Sequence, residues 1–353
     1  MRMRMLVRVC IISFLIFVLM IFSHSTPEDE NEPIKDQNSA TPPKIDYSIQ
    51  DDQKEETTRP DEGLSVYIGK NSETLIKDYG KPQRIDPSAY GYDWWIYKNF
   101  AGTYMQVGVS QKKVVTIYAL GNQLNVSPYT IGQSVADIFR STIMEAEITI
   151  STDEGAYRFE LSEEDLNLRP LVPLGNIFAQ LSIDKYTGTL TSIRFFDTKT
   201  LITQKPYELL YNGHLLEPEN PGREEWKEIE EGSKQQIFDI TNIIRERFDL
   251  ITLKWDETVS AVAYNHSQDM ANHEYFSHDS PEYGSLAERL DAQGIEYDAA
   301  AENIAKDYID GPAAVEAWLN VEGHRKTLLD KDYTNLGVGV FQKYYTQNFI
   351  KTE

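Results

Sequence analysis

Alternation of apolar and polar positions defines the first folded region, and it does so twice. One copy opens at Ile68-Gly69, runs through a helical stretch at 73–80, and continues as alternating strands at 92–97, 104–109 and 114–118. The second opens at Ile131-Gly132, has a helical stretch at 135–139, and continues with strands at 156–161, 178–183 and 190–194. Turn residues Gln111-Lys112 and Tyr186-Thr187-Gly188 separate the last two strands of each copy. The spacing between copies grows from 63 residues at the Ile-Gly pairs to 74 at Tyr104 and Phe178, so the extra residues fall in a loop around 163–173. One helix plus three antiparallel strands, repeated, is an α+β unit. Adjacent strand residues point to opposite faces, so Trp94 and Trp95 cannot both enter the same core.

From residue 233 onward the period changes to that of helices. Ile237, Ile240, Ile244 and Phe248 fall on one stripe, with Asp239, Arg245 and Glu246 assigned to the wet side. Asp256 is a good N-cap for a second helix, in which Val259, Val262, Ala263, His266 and Met270 share a face. His266 on that stripe reads as a hydrogen-bonded core histidine. Further helices are expected at 285–293, ended by Gly294, and after Gly311-Pro312, where proline suits a first turn. Segments 336–341 and 344–350 read as a hairpin. Helices flanking a small antiparallel sheet make a three-layer sandwich.

The remaining segments are of other kinds. Arg2, Arg4 and Arg8 precede an apolar run at 10–22, which fits a signal peptide or, uncleaved, an anchor over residues 1–23. Residues 24–62 are acidic and proline-bearing and read as a disordered tether. The repeated unit then covers 63–205, a linker with one ordered-looking piece at 207–211 covers 206–232, and the last domain covers 233–353. The one cysteine, Cys10, lies in the export segment, so the exported part is held by packing alone. A net charge of −22 excludes nucleic acid as a partner and leaves membrane contact to the N-terminal segment. Together these features place the protein outside the cytoplasm, secreted or attached to the cell surface.

Candidate chemistry is concentrated near the C-terminus. The chain has six histidines, and His278 in Ser277-His278-Asp279-Ser280-Pro281 and His324 in Gly323-His324-Arg325 stand at the ends of expected elements. Glu302 in Glu302-Asn303-Ile304 is the carboxylate of this set. Neutral imidazoles and a carboxylate can bind a borderline divalent ion such as zinc. These positions are 24 and 22 residues apart, so only the fold could unite them. His273-Glu274 followed by His278 is not a zinc-protease helix, which needs histidines four apart; His273 reads as a helix-end surface residue.

The segments from Ile237 through Leu253-x-Trp255-Asp256, His278-x-Ser280-Pro281, Glu302-Asn303-Ile304-Ala305, Trp318-Leu319-Asn320-x-x-Gly323-His324-Arg325 and Tyr345-Thr346-Gln347-x-Phe349 resemble a bacterial CAP domain (cysteine-rich secretory, antigen five, pathogenesis-related one). The repeated unit resembles the CAP-associated N-terminal domain. The resemblance implies an α-β-α sandwich with a cavity lined by two histidines and two acids. By motif His278, Glu302 and His324 take three of those places, with Glu322 the nearest acid for the fourth. Val321 replaces the small polar residue usual before Gly-His-Arg.

Three functions are compatible with these residues. The first is a non-catalytic binding module holding a small lipid, peptide or cell-wall ligand, with or without a divalent metal on His278, His324 and Glu302. The second is a metal-dependent hydrolase acting on peptide or cell wall through the same cleft. The third is a structural or signalling surface protein, docking a protein or wall partner through the repeated unit.

Overall fold

The computed structural model describes residues 34–35, 58–100 and 103–352. The export segment and most of the tether lie outside them. Within the tether, Ile34–Lys35 forms a short strand, β1. Residues 58–62 lead into the body, where Arg59 donates to the carbonyls of Ser65 and Ile68 at 2.8 and 2.6 Å.

The repeated unit begins with helix α1 (Ser72–Tyr79), capped by Asn71, and strands β2 (Arg84–Pro87), β3 (Asp93–Phe100), β4 (Thr103–Ser110) and β5 (Lys113–Leu120). The second copy gives α2 (Val135–Ser141), β6 (Glu147–Thr152), β7 (Gly155–Glu160), α3 (Glu163–Leu168), β8 (Leu171–Leu174), β9 (Ile177–Asp184), β10 (Thr189–Asp197) and α4 (Thr198–Gln204). Seven strands form one antiparallel sheet in the order β2-β3-β4-β5-β10-β9-β8. The two copies join at β5 and β10, where Ile117 is opposite Phe195. Around that seam β4 mirrors β9, as the alternation predicts. The counterpart of β3, however, is β8 and not the expected 156–161 strand. Strand β7 leaves the large sheet and pairs with β6 and with β11 (Glu208–Gly213) in a separate three-stranded sheet. The inserted α3, with its Ser162–Asp165 capping box, supplies the chain needed for that detour.

The expected linker at 206–232 is mostly ordered. Strand β11 occupies part of it, and α5 (Arg223–Arg247) starts directly after Gly222. Glu224 and Glu225 in the first turn favour that start by their charge at the helix N-terminus. There follow β12 (Lys254–Trp255), α6 (Glu257–Asn272), α7 (Leu286–Asp291), β13 (Ala299–Lys306), α8 (Gly311–Leu319), α9 (Glu322–Leu328), β14 (Asn335–Phe341) and β15 (Tyr344–Lys351). The central sheet has the order β1-β13-β15-β14-β12. On one face, α6 lies against β14 so closely that a Cβ on Gly337 or Gly339 would fall 2.2 or 2.0 Å from the helix backbone nitrogens of Ser260 and Tyr264. On the other face, Ile237, Ile240 and Ile244 of α5 pack with Val315 and Trp318 of α8 and with Val338. The result is an α-β-α sandwich.

The repeated unit is not a separate bead. Tyr92, Trp94, Ile96, Tyr104, Tyr118 and Leu120 of its large sheet share one core with Ile237, Val315 and Trp318. Two α5 residues assigned to the wet side are in fact buried, one of them by this junction. Asp239 is buried and bridges Arg84 and Lys98 at 3.2 and 2.8 Å, because the large sheet covers what would otherwise be a solvent face. Arg245 is also buried and donates to the carbonyls of Ile251, Leu328 and Asp330. Glu246 remains exposed.

Candidate functional site: two imidazoles around a strand edge

Neighbouring residues of β13 place the site. Glu302 and Asn303 point to opposite faces of the sheet, as successive strand residues must. Glu302 reaches the α6–α7 side, and its Oε1 accepts from Nδ1 of His278 at 3.0 Å. Its Oε2 accepts from Nη2 of Arg289 on α7 at 2.8 Å, and the same Nη2 reaches the carbonyl of His278 at 3.1 Å. Asn303 reaches the α5–α9 side. Its Nδ2 donates to the carbonyl of His324 at 3.2 Å and to Oε1 of Gln347 at 3.3 Å, while its Oδ1 meets Nδ1 of His324 at 3.0 Å. Gln347 donates to Thr241, which donates to the carbonyl of Ile237. This chain of donors determines the Asn303 amide orientation and puts the His324 proton on Nδ1.

The two rings meet although they come from opposite faces, with centroids 6.4 Å apart. The His278 side chain is 30% exposed, whereas His324 is fully buried. Helix α9 sets His324 in its first turn and is tied to the repeated unit, since the adjacent Arg325 forms two bonds of 2.9 and 3.0 Å with Asp184 of β9.

Burial alone would raise the Glu302 pKa. The hydrogen bond from His278 and the charge of Arg289 outweigh it, and the carboxyl ends below its ordinary value. Beneath it lies His266 of α6, whose Nε2 is 3.0 Å from the carbonyl of Ser277 and 3.7 Å from Glu302 Oε1. Burial lowers the His266 pKa to about 4, against the raising effect of the Glu302 charge. Its Nδ1 is buried with no hydrogen-bond partner among the described residues. Asn348, opposite Glu302 on β15, is likewise buried with both side-chain polar atoms unpartnered there.

Of the four residues named from sequence, the fold therefore brings together His278, Glu302 and His324. Glu322 is elsewhere: it is half-exposed in the first turn of α9 and pairs with Lys326 at 2.9 Å. The three-donor metal set does not fit this geometry, because both oxygens of Glu302 are already engaged. Among the described residues no three His, Cys, Asp or Glu side chains converge on a metal position. His273 ends α6 with its ring largely exposed and bonded to Asp269. Sequence reasoning missed Arg289, Asn303 and Gln347 as site residues. Arg289 carried a usable signal, since it shares a helical face with Leu286 and Leu290 and a charge there calls for a buried partner. Asn303 and Gln347 carried only their places in the motifs.

The CAP-associated N-terminal family matches residues 68–207, and the Cysteine-rich secretory protein family matches residues 238–351. The chain is 49% identical over 292 residues to the uncharacterized membrane protein YlbC of Bacillus subtilis, covering 83% of this chain and 84% of that protein. The uncharacterized protein YkwD of the same organism is 41% identical over 119 residues, 33% of this chain and 46% of YkwD. Among solved structures, an extracellular SCP-domain protein from Bacillus anthracis has a TM-score of 0.79 at 43% identity, covering 86% of this chain and all of that one. A cysteine-rich secretory protein from Staphylococcus aureus has a TM-score of 0.77 at 27% identity, covering 91% and 98%. Among the described residues no helix is long and apolar enough to cross a membrane. With two family matches in the order the motifs require and a relative this close over most of its length, the chain belongs to the cysteine-rich secretory protein (CAP) family and carries the CAP-associated N-terminal domain.

Proposed function

We propose that this protein is an extracytoplasmic binding module whose ligand is held by His278 and His324. The observation that carries this reading is the matched pair of bonds at Nδ1, one to Glu302 and one to Asn303. Each puts the ring proton on Nδ1, so two imidazoles from opposite layers are preset in one tautomer at a single place. Glu302 is ionised and spends its oxygens on Arg289 and His278, which makes it an orienting group. A general acid would need a raised pKa, and this one is lowered. Nor is a serine poised for attack. Ser280 Oγ donates to Asp269 at 2.7 Å, and Ser277 Oγ accepts from the Asp279 amide.

A divalent ion such as zinc is compatible with the two Nε2 atoms, with Glu302 in the outer layer fixing the His278 ring. Such an ion would supply a Lewis-acid centre with positions left for ligand or water. A hydrolase built this way is the second reading, favoured only by the imidazole pair itself.

The test follows the His278 and His324 imidazole resonances while zinc, and separately a muropeptide, is added to the protein. We expect one of these to shift both rings without turnover, with the response lost in His278→Ala. Zinc binding should weaken about 10–100-fold in Glu302→Gln, as for loss of an outer-layer partner. Muropeptide turnover abolished by Glu302→Gln would overturn the binding reading in favour of the hydrolase.

A further inference from the structure

The two copies of the repeated unit differ at one turn, and that turn reaches the helix that carries His324. Tyr104 and Phe178 are equivalent positions, so the matching strands end at Ser110 and Asp184. In the first copy Gln111 and Lys112, both left-handed, close the hairpin between paired Ser110 and Lys113. The Ser110 hydroxyl donates to the Gly91 carbonyl, within its own unit. In the second copy residues 185–188 lie between paired Asp184 and Thr189. Asp184 Oδ1 accepts from the amides of Tyr186 and Thr187 at 2.9 and 3.3 Å, which shapes this longer turn. Both Asp184 oxygens also accept from Arg325, in the other domain.

The turn holds the joint between α8 and α9 at two points. Asn320, at the end of α8, accepts from the Lys185 amide at 2.9 Å and donates to the Ile183 carbonyl at 2.8 Å. It thereby takes the backbone groups on either side of Asp184. The Arg325 guanidinium, gripped by Asp184, lies 4.7 Å from the centre of the Tyr186 ring and 5.1 Å from that of Phe248. Asp184 is 2% exposed, so this bidentate pair is shielded from water and keeps its directional strength. Between the two held residues the chain has only Val321, Glu322, Gly323 and His324. Asn303 bonds both the carbonyl and Nδ1 of His324, so ring and backbone have to be in place together. From this we infer that Asp184 is a positioning residue of the imidazole site, acting through Arg325 to fix α9 and with it the His324 ring. The repeated unit is thus a working part of a site that lies in the neighbouring domain. The inference rests on the imidazole pair as the site, but it concerns how His324 is held and not what it binds.

The measurement is the solvent exchange of the His324 Nδ1 proton, followed by NMR in the full chain with isotope-labelled histidine. Asp184→Asn keeps an oxygen for the Tyr186 and Thr187 amides and removes the charge that pairs with Arg325. It should speed this exchange by about tenfold or more, while the ring of His266, on the opposite face of the sheet, keeps its resonances. If Asp184→Asn does not fold, Tyr186→Ala removes a half-exposed ring from the same guanidinium and should speed the exchange about threefold. The control is Asp310→Asn, which removes the charge of another buried junction pair, with Arg194, and keeps an acceptor for the α8 cap. Its His324 exchange should stay within about twofold of the unmodified chain. Unchanged exchange in both Asp184→Asn and Tyr186→Ala would overturn the inference. So would an equal rise in Asp310→Asn, which would mean a general loosening of the junction. If neither zinc nor muropeptide shifted the rings of the unmodified chain, the binding reading would fail while these exchange rates still decided the role of Asp184.

Discussion

Two buried arginine–carboxylate pairs organise different parts of this molecule. At the domain junction, Arg194 of β10 holds both oxygens of Asp310 at 2.8 and 2.9 Å, and its guanidinium lies among the rings of Trp94, Tyr118 and Phe196. At the site, Arg289 gives Glu302 one bond and leaves two of its nitrogens without partners among the described residues. The second Glu302 oxygen is used to orient His278. The first pair is closed on itself and serves to weld two domains. The second is open, with hydrogen-bonding capacity left unspent on the arginine beside the site. The same ion chemistry yields glue or a site depending on whether its geometry is completed internally.

The closed pair should be the more costly to break. Asp310→Ala leaves Arg194 buried and unpaired and also removes the α8 N-cap, where Asp310 accepts from the Ala313 amide. Breaking such a pair costs about 3–5 kcal/mol. Chemical denaturation should show that loss while both domains still unfold in one transition. A loss below about 1 kcal/mol would mean that the shared apolar core alone holds the junction.

The open pair should show itself in pH dependence through His266, which lies against Glu302, Arg289, Asp269 and the Ser277 carbonyl. Its folded pKa of about 4 is below the unfolded value near 6.5. Above that unfolded value the ring is neutral in both states and stability is complete. As pH falls from there toward 4, the unfolded chain takes a proton that the folded chain refuses, and about 3 kcal/mol is lost. Glu302, depressed below its ordinary value, adds a further loss at lower pH as it protonates in the folded state. His266→Gln should flatten the upper part of this profile, and an unchanged slope would locate the titration elsewhere.

The smallest effect concerns a carboxyl that resembles neither pair. Glu316 of α8 lies at the junction, accepts from Tyr118 and Ser192 at 2.7 and 2.6 Å, and has no arginine bonded to it among the described residues. Burial raises its pKa, and its Oε2 is buried without a partner among the described residues. Glu316→Gln keeps an acceptor and removes a charge, so its stability at neutral pH should change by less than about 1 kcal/mol. A large loss would show that this carboxyl is ionised and belongs with the closed pair.

Much of this architecture could be read from periodicity. The strands β4, β5, β9 and β10, the stripe of α5, the cap at Asp256 and the terminal hairpin all stand where local patterning puts them. The departures have a common cause. Strand β7 alternates as well as β3 does, yet it joins another sheet, since alternation records that a strand has a buried face and not which neighbour buries it. Asp239 and Arg245 are polar and lie off the apolar stripe, yet both are buried, Asp239 beneath the second domain and Arg245 against the carbonyls of Ile251, Leu328 and Asp330 of its own domain. Glu322 is close to His324 in the chain but lies on a different turn face, where Lys326 is its neighbour.

The amino-acid sequence by itself determined the two families, the order of the domains and the identities of His278, Glu302 and His324, because these are carried by local motifs. Tertiary structure alone decided that Glu302 orients a ring, that Arg289 and Asn303 complete the site, and that the imidazoles meet around a strand edge. Hydrogen-bond partners 21 and 24 residues apart are chosen by sheet register and layer packing. Those are properties of the assembled sheet, and no segment of the chain encodes them alone.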